Sequence, residues 1–329
     1  MRASSSDRGL LDGLIGDGRS LLAVTGLSLL FAGAFALFVS VNGQFLPHDI
    51  AFLGVSADEL CRMADCRVVA FMFHDRVAFG GTLIAIGVLY LWLTSFPLRR
   101  REPWAWWTLA TSGTLGFLSF LAYLAYGYLD SWHAVGTVFL LPAFAAGLAR
   151  SFPRLREPRG IASLLRADGG REWRAPGRAL LLLTAGGMIA AGLIIMGVGM
   201  TQVFVRADLE FMRITSADLD AINRRLIPLI AHDRAGFGGG LASCGVVVAC
   251  CAWCARPSRS LWQALFLAGV AGFGCAIGVH LVVGYTDPWH LAPALAGAAL
   301  FALGIGFSYP GRVDSVAEPQ PTQRFRVLR

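Results

Sequence analysis

Four histidines recur in pairs along a strongly apolar chain. His74 opens the segment HDRVAFGG, and His232 opens HDRAGFGG 158 residues later, with six of the eight positions identical. His133 closes GYLDSWH, and His290 closes GYTDPWH 157 residues later. Two imidazoles from different helices of one bundle are the ligands of a six-coordinate haem iron, one on each side. The pattern therefore favours two haem sites, one formed by His74 with His133 and one by His232 with His290.

Charged residues directly follow the first histidine of each predicted pair. Arg76 and Arg234 lie two positions after His74 and His232, where a guanidinium group could bind a haem propionate in a bidentate manner. Asp75 and Asp233 stand between histidine and arginine, and a second interpretation is that they neutralise these or other arginines. Both interpretations remain open from the sequence.

A zinc site is the alternative to haem. His74, Asp130 and His133 offer two nitrogens and a carboxylate with one open position for water, and Asp287 is the counterpart of Asp130 in the second copy. Both aspartates also precede a predicted helix and can simply cap it. His280 has no histidine counterpart in the first copy, where Tyr123 occupies the matching place, and His48 lies in a loop, so we leave both outside the predicted sites.

The elements that must position these residues are membrane helices. Of the 329 residues 56% are hydrophobic and 15% charged, and the mean hydropathy is +0.60, which excludes an ordinary soluble protein. The chain has no lysine, so lysine Schiff-base and phosphate-loop chemistry are excluded. Hydropathy predicts eight spans, at 21–41, 74–96, 105–128, 132–150, 179–201, 233–255, 261–285 and 290–309.

The arginines indicate the orientation of these spans. Twenty of the 28 lie before the first span, in alternate loops or after the last span, all on one face. The positive-inside rule then predicts that both termini are cytoplasmic, in what is expected to be a bacterial inner membrane. Because short loops account for the net charge of +7, the lipid bilayer is the expected partner and nucleic acid is not.

The repeated segments indicate an internal duplication. Four spans fall in each copy, and an even number gives both copies the same orientation. We predict an all-α membrane protein of two tandem, parallel four-helix bundles, related by a pseudo-twofold axis along the membrane normal. The predicted segments are an N-terminal tail (1–20), the first repeat (21–150), an arginine-rich linker (151–178), the second repeat (179–309) and a C-terminal tail (310–329).

The two longest outer loops, 42–73 and 202–231, are predicted to cover the bundles. Ser56 with Glu59 and Thr215 with Asp218 have capping-box spacing, which indicates a short helix in each loop. Cys61 and Cys66 lie in the first loop, outside the cytoplasm, where a disulfide can persist.

Eight helices in two parallel four-helix units, with a histidine on the second and fourth helix of each and a cysteine pair in the first outer loop, resemble the haem A synthase family. The resemblance covers residues 21 to 309. It implies that His74 with His133 and His232 with His290 ligate haem, one site for the substrate haem and one for a b-type haem. The family has a glutamate three residues before its helix-two histidine, where this chain has Phe71, and the catalytic glutamate is therefore not matched.

The sequence therefore predicts a haem-binding membrane protein, either an oxidoreductase like haem A synthase or an electron-transfer cytochrome with a membrane redox or assembly partner. The alternatives are a metal-dependent membrane hydrolase and a transporter or proton pathway.

Overall fold

The computed structural model describes residue 9, residues 15–128, residues 131–165, residue 173 and residues 175–309. All regular secondary structure in this part of the chain is helical. In chain order the helices are α1 (Arg19–Val41), α2 (Pro47–Leu53), α3 (Ala57–Met63), α4 (Cys66–Ser95), α5 (Pro103–Phe120), α6 (Ser131–Arg154), α7 (Ala175–Met200), α8 (Arg206–Met212), α9 (Ser216–Ile222), α10 (Leu226–Cys254), α11 (Arg259–Val283) and α12 (Pro288–Phe307). Helix α6 contains a π-helical segment at Gly136–Leu140.

Seven of these helices are long and apolar enough to cross a membrane, namely α1, α4, α6, α7, α10, α11 and α12. The chain is therefore an all-α integral membrane protein. Helix α5 covers most of the predicted span 105–128 but is not among the seven. It has only 18 residues, five of them threonine or serine, and it ends at Phe120 in a 3-10 turn over Leu121–Leu124.

Helices α4 and α10 lie at the centre of the described structure. In each, 67% of the most apolar 18-residue window is buried, whereas the share is 28% or less in the other five spans. The outer helices therefore present most of their apolar surface to lipid. Glycines allow close approach to the centre: a Cβ atom added to Gly33 would overlap the carbonyl oxygen of Gly80, and one added to Gly238 would overlap the backbone of Met196.

The two halves of the chain exchange helices. Helix α4 packs mainly on α1 and on α11, and α10 packs mainly on α7 and on α5. Helix α6 packs on α1, and α12 on α7. The prediction that each half forms its own four-helix bundle is wrong in this respect, because each central helix contacts spans from both halves.

The central helices begin earlier than hydropathy predicts. Spans 74–96 and 233–255 were expected to start near His74 and His232, but α4 begins at Cys66 and α10 at Leu226. The histidines therefore stand inside the helices, about 12 Å along α4 in the case of His74 at 1.5 Å per residue. A hydropathy pattern ends a span at ionisable residues because these are costly in lipid. Here they are buried against protein.

The outer loops form two lids, each with two short helices where one was predicted. The first lid is α2 with α3, and the second is α8 with α9. Both predicted capping boxes are present: Glu59 N–H donates to Ser56 Oγ at 3.3 Å, and Asp218 N–H donates to Thr215 Oγ1 at 3.2 Å. The Ser56 and Thr215 groups donate in return, which lowers the pKa of the Glu59 and Asp218 carboxyl groups.

A disulfide closes the first lid onto the bundle. It joins Cys61 in α3 to Cys66, the first residue of α4, with a Cα–Cα distance of 4.4 Å. This is the cysteine pair predicted from the sequence. On the opposite face, the linker packs against the helix ends, with a 3-10 turn over Ile161–Leu165 and a hydrogen bond from Trp107 Nε1 to the carbonyl of Arg159.

Candidate functional site

Two ion pairs cross between the central helices. Arg76 of α4 donates Nη2–H to Oδ2 of Asp233 in α10 at 2.6 Å. Arg234 of α10 donates Nε–H to Oδ2 of Asp75 in α4 at 3.1 Å. The four side chains are at most 8% exposed. Each helix thus neutralises the charge of the other, so the aspartates do pair with arginines as one interpretation of the sequence held.

Each arginine also binds a lid. Arg76 donates to Asp49 in α2, and Arg234 donates Nη1–H to Oδ2 of Asp208 in α8 at 2.6 Å. Both lid carboxylates also accept from the backbone N–H of the residue that precedes their own helix, Leu46 for Asp49 at 3.0 Å and Val205 for Asp208 at 2.8 Å. The lids are therefore fixed to the central helices by charge as well as by apolar packing.

This cluster has more acid than base. With the carboxyl groups ionised, four aspartates face two arginines, which gives a formal charge of −2. Tyr128 donates its hydroxyl to Asp49, and Tyr285 donates its hydroxyl to Asp208 at 2.8 Å. These donors stabilise the carboxylates without adding charge. Because buried uncompensated charge is costly, the cluster favours a bound cation or a protonated histidine nearby.

The first histidine cluster, which we name the α4 site, consists of His74 in α4, His280 in α11 and His290 in α12. One potential ligand atom from each lies within 4.8 Å of the others. His74 Nε2 and His280 Nε2 are 3.0 Å apart, with their rings at 85°. His74 and His280 are buried, and His290 is partly buried.

The other ring nitrogen of each histidine faces an oxygen. His74 Nδ1 lies 3.0 Å from Asp75 Oδ1, and His280 Nδ1 lies 2.5 Å from the carbonyl oxygen of Ala276. His290 Nδ1 lies 3.3 Å from the hydroxyl of Tyr285. Carboxylate and carbonyl oxygens only accept, so the Nδ1 atoms of His74 and His280 carry the protons.

The facing Nε2 atoms of His74 and His280 are consequently two lone pairs when both rings are neutral. Two lone pairs at 3.0 Å repel each other unless a proton or a metal ion lies between them. A hydrogen bond from Nδ1 to carboxylate or carbonyl, with Nε2 turned to the ion, is the usual arrangement of a metal-bound histidine.

The second cluster, which we name the α10 site, is built around His232 in α10 and His133 in α6. Their Nε2 atoms lie 3.1 Å apart, and His232 Nδ1 lies 3.2 Å from Asp233 Oδ1. His48 of the first lid is near, with its ring centroid 5.7 Å from that of His133. The two sites are thus alike around the central helix and differ in their third histidine.

The structure pairs the predicted histidines differently from the sequence. His74 was expected to face His133, and His232 to face His290. Instead His74 lies with His280 and His290, and His133 lies with His232. The physical reason is the exchange of helices: α4 packs against α11, and α10 packs against α5, so each central histidine meets partners from the other half.

The roles predicted for the charged residues also change. Arg76 and Arg234 were expected to bind haem propionates, but two carboxylates already engage each guanidinium. Asp287 accepts from the backbone N–H of His290 at 2.8 Å and caps α12, as the capping interpretation of the sequence held. Asp130 lies outside the described residues.

Two residues that the sequence reasoning set aside belong to the sites. His280 was excluded because Tyr123 occupies the matching position in the first copy, and His48 because it lies in a predicted loop. A signal was present in the spacing of His280, Tyr285 and His290, which follow one another along the outer end of one helical hairpin. The repeat does not mark this spacing, because His280 is not among the residues that the two copies share.

Haem, the group that the resemblance implies, meets crowded surroundings in the α4 site. A macrocycle must extend sideways from the line that joins its two axial nitrogens. The rings of Phe71, Tyr285 and His290 crowd His74, with centroids 6.0, 5.4 and 5.7 Å from that of its own ring. Around His133 the rings of Tyr123 and Tyr128 are equally close, at 4.8 and 4.9 Å. A single metal ion needs no such space beside its ligands.

Comparisons of the whole chain with protein-family models, with curated proteins and with solved structures give no match, so the site rests on its own geometry.

Proposed function

We propose that this integral membrane protein binds a divalent transition-metal ion through His74, His280 and His290. The observation that carries the proposal is the pair of Nε2 atoms of His74 and His280, 3.0 Å apart while both Nδ1 atoms face oxygen acceptors. A metal ion accepts both lone pairs at once. His290, held at Nδ1 by the Tyr285 hydroxyl, supplies the third nitrogen.

The dimensions of the α4 site suit such an ion. Metal–nitrogen bonds of about 2.0–2.1 Å in tetrahedral geometry place ligand nitrogens about 3.3 Å apart. The three ligand atoms already lie within 4.8 Å of one another, so small side-chain rotations suffice. Imidazole ligands suit zinc, copper, iron and nickel ions. The buried formal charge of −2 nearby favours a dication over a neutral guest.

Three histidines with a fourth position open are typical of catalytic and not of structural zinc sites. In such a site the ion lowers the pKa of a bound water to about 7 and polarises substrate oxygens. We therefore infer a metal-dependent membrane enzyme, with hydrolysis as the class of reaction. In this role Asp75 orients His74, and Tyr285 orients His290 while its hydroxyl stays bound to Asp208.

The finer architecture is part of the same proposal. We propose eight spans, with α5 as the eighth because it packs against the central helix α10, and a duplicated unit that places α4 and α10 in equivalent positions. The repeated segments at His74 and His232 support the duplication. The arginine distribution supports cytoplasmic termini in a bacterial inner membrane, with both histidine sites toward the opposite face.

Haem bound by the facing histidines, in an oxidoreductase or an electron-transfer cytochrome, is the second candidate. The observation that favours it is that the central histidine of each site faces a second histidine through Nε2. The Nε2 atoms lie 3.0 Å apart for His74 and His280 and 3.1 Å apart for His232 and His133. It requires that the aromatic rings around His74 and His133 move aside. A transporter would also use buried carboxylates and histidines, and the same experiment separates it from both.

The test is the metal content of the full chain, purified in detergent through a tag without histidines. We expect the wild-type protein to be colourless or weakly coloured and to retain divalent transition-metal ions after gel filtration. The His280→Gln variant is expected to hold one ion fewer per chain. Tyr309→Phe is the control, since Tyr309 packs on Trp262 at the other end of the bundle.

A sharp Soret band that shifts on reduction with dithionite would replace the metal-ion proposal with the haem candidate. Absence of both haem and metal, after zinc loading and gel filtration, would contradict both and leave the transporter.

A further inference from the structure

The chain has six histidines, and the two sites account for all of them. The α4 site holds three. The remaining three, His48, His133 and His232, lie together on the other side of the crossed ion pairs, with ring centroids 5.7 Å apart for His48 and His133 and 4.8 Å for His133 and His232.

The third histidine of each group comes from a different element. In the α4 site it is His280 of α11, and the lid position that matches His48 is Ala207. In the α10 site the position that matches His280 is Tyr123, whose hydroxyl bonds Thr137 Oγ1 at 2.9 Å, and the lid supplies His48 instead. The α4 site has its third histidine at the helix position and none in the lid, and the α10 site has its third histidine in the lid and none at the helix position. Each site therefore has three histidines.

The α10 site repeats the protonation constraint of the α4 site on its central helix. His232 Nδ1 faces the Asp233 carboxylate at 3.2 Å and donates to it, so Nε2 is the atom with a lone pair. That atom faces His133 Nε2 at 3.1 Å. The lone pair of His232 Nε2 can accept an N–H from His133 or bind a cation together with it.

The lid holds His48 close to this pair. Its neighbour Asp49 is bound by Arg76 and by the Tyr128 hydroxyl, which fixes the backbone of α2 over the site. The His48 side chain is only 15% exposed, and its Nε2 lies 3.8 Å from Asp49 Oδ1. The set of three nitrogens closes only when this side chain turns toward His133, whose ring centroid lies 5.7 Å from its own.

We propose that His48, His133 and His232 form a second site for a divalent transition-metal ion, completed by a ligand from the first lid. The α4 site takes all its ligands from membrane helices, whereas the α10 site closes only when α2 is seated. The second ion therefore binds together with the lid. This inference shares the ion class of the proposed function, but the two sites have no ligand in common.

The test compares Co²⁺ binding by the wild-type protein, His48→Ala and His280→Gln, each as the full chain in detergent. His48→Ala gives the first lid the alanine that the second lid has naturally. Arg206→Ala is the matched lid control, because that side chain is 92% exposed. Gel filtration and thermal unfolding monitor the fold of every variant, and the intensity of the Co²⁺ visible bands reports the coordination.

We expect two ions per wild-type chain, one in each histidine variant and two in the control. Two ions retained in His48→Ala would overturn the second site. A single wild-type ion that only His280→Gln removes would overturn it as well and leave the proposed function standing. A single ion that only His48→Ala removes would support the second site and contradict the first, and no ion at all would contradict both.

Discussion

Asp75 and Arg234 form an ion pair between the two central helices, with 3.1 Å from Oδ2 to Nε, and they lie 159 residues apart in the chain. The pair of Arg76 with Asp233 lies alongside with the helices interchanged. Asp75 also orients His74, and Asp233 orients His232. The two aspartates that join the central helices through ion pairs are therefore also the groups that orient the central histidine of each site.

The first prediction concerns the energy of this pair. Arg234→Gln leaves Asp75 and Asp208 without their guanidinium partner, and we expect a loss of about 3–5 kcal/mol, the usual cost of breaking a buried pair. Adding Asp75→Asn should recover part of that loss, because it removes one unpaired charge. Unfolding of the detergent-solubilised protein gives the free energy lost in Arg234→Gln, in Asp75→Asn and in the double variant. Losses in the single variants that simply add up to the loss in the double variant would contradict an interaction between the two residues.

A surface pair serves as its control. Arg206 and Glu210 bond at 2.7 Å on the second lid, but their side chains are 92% and 61% exposed. Arg206→Gln should change stability by less than about 1 kcal/mol, since exposed ion pairs contribute little. A comparable loss in both variants would show that the lid and not the crossed pair determines stability.

The second prediction concerns helix packing. A Cβ atom at Gly192 in α7 would overlap the backbone of Gly238 and Ala242 in α10, so Gly192→Ala should cost about 1–3 kcal/mol through overpacking. Gly187, in the same helix, has no atom within 4 Å of such a Cβ. Gly187→Ala should be neutral or slightly stabilising, because alanine favours helix by up to about 1 kcal/mol. Melting temperatures of the two variants should move apart, and equal values would contradict the close contact.

The third prediction concerns the residue that holds His290. Tyr285→Phe removes the hydroxyl that joins His290 to Asp208 and keeps the ring. We expect the metal affinity of the α4 site to fall by about 10–100-fold, the usual effect of losing a group that orients a ligand. Competition with a chelator measures the affinity. Tyr128→Phe, the matching change at the α10 site, should leave the metal affinity of the α4 site unchanged. An equal loss of affinity in Tyr128→Phe and Tyr285→Phe would contradict the role of Tyr285 in holding His290.

The fourth prediction concerns orientation. The Cys61–Cys66 disulfide lies on the face that carries the lids. If that face is extracytoplasmic, an impermeant thiol reagent should label intact cells only after reduction, and Cys61→Ser with Cys66→Ser should abolish the label. The free cysteines lie in α10 and α11 and are expected to stay unlabelled. Labelling that requires permeabilised cells would reverse the proposed topology.

Local features of the fold could be predicted from the sequence, and features set by contacts between distant segments could not. Seven of the eight predicted spans follow from hydropathy, and the capping boxes at Ser56 and Thr215 follow from residues three positions apart. The start of α4 has a local signal as well, since the Asp65 side chain caps the helix and accepts from the backbone N–H of Arg67. The burial of Asp75 inside α4 could not be predicted, because its partner Arg234 comes from another helix.

The histidine partners illustrate the same limit. The type and repetition of His74 and His232 point to the two regions where the structure gathers histidines. Which rings face them depends on how α4 and α10 exchange neighbours, and no local pattern encodes that. His280 was set aside because it breaks the repeat and His48 because it lies in a loop, yet these two residues make the two clusters different.

The crossed ion pairs also affect the order in which the protein can be made. Asp75 leaves the ribosome 159 residues before Arg234, which at 5–20 residues per second is about 8–30 s earlier. During that time neither Asp75 nor Arg76 of α4 has its partner from the other half, because Arg234 and Asp233 both lie in α10, and an intramembrane aspartate costs about 2.5–3.5 kcal/mol. The first half therefore enters the membrane with two ionisable groups whose partners in the other half arrive only with α10, and nascent chains that stop before α10 are expected to be substrates for membrane proteolysis.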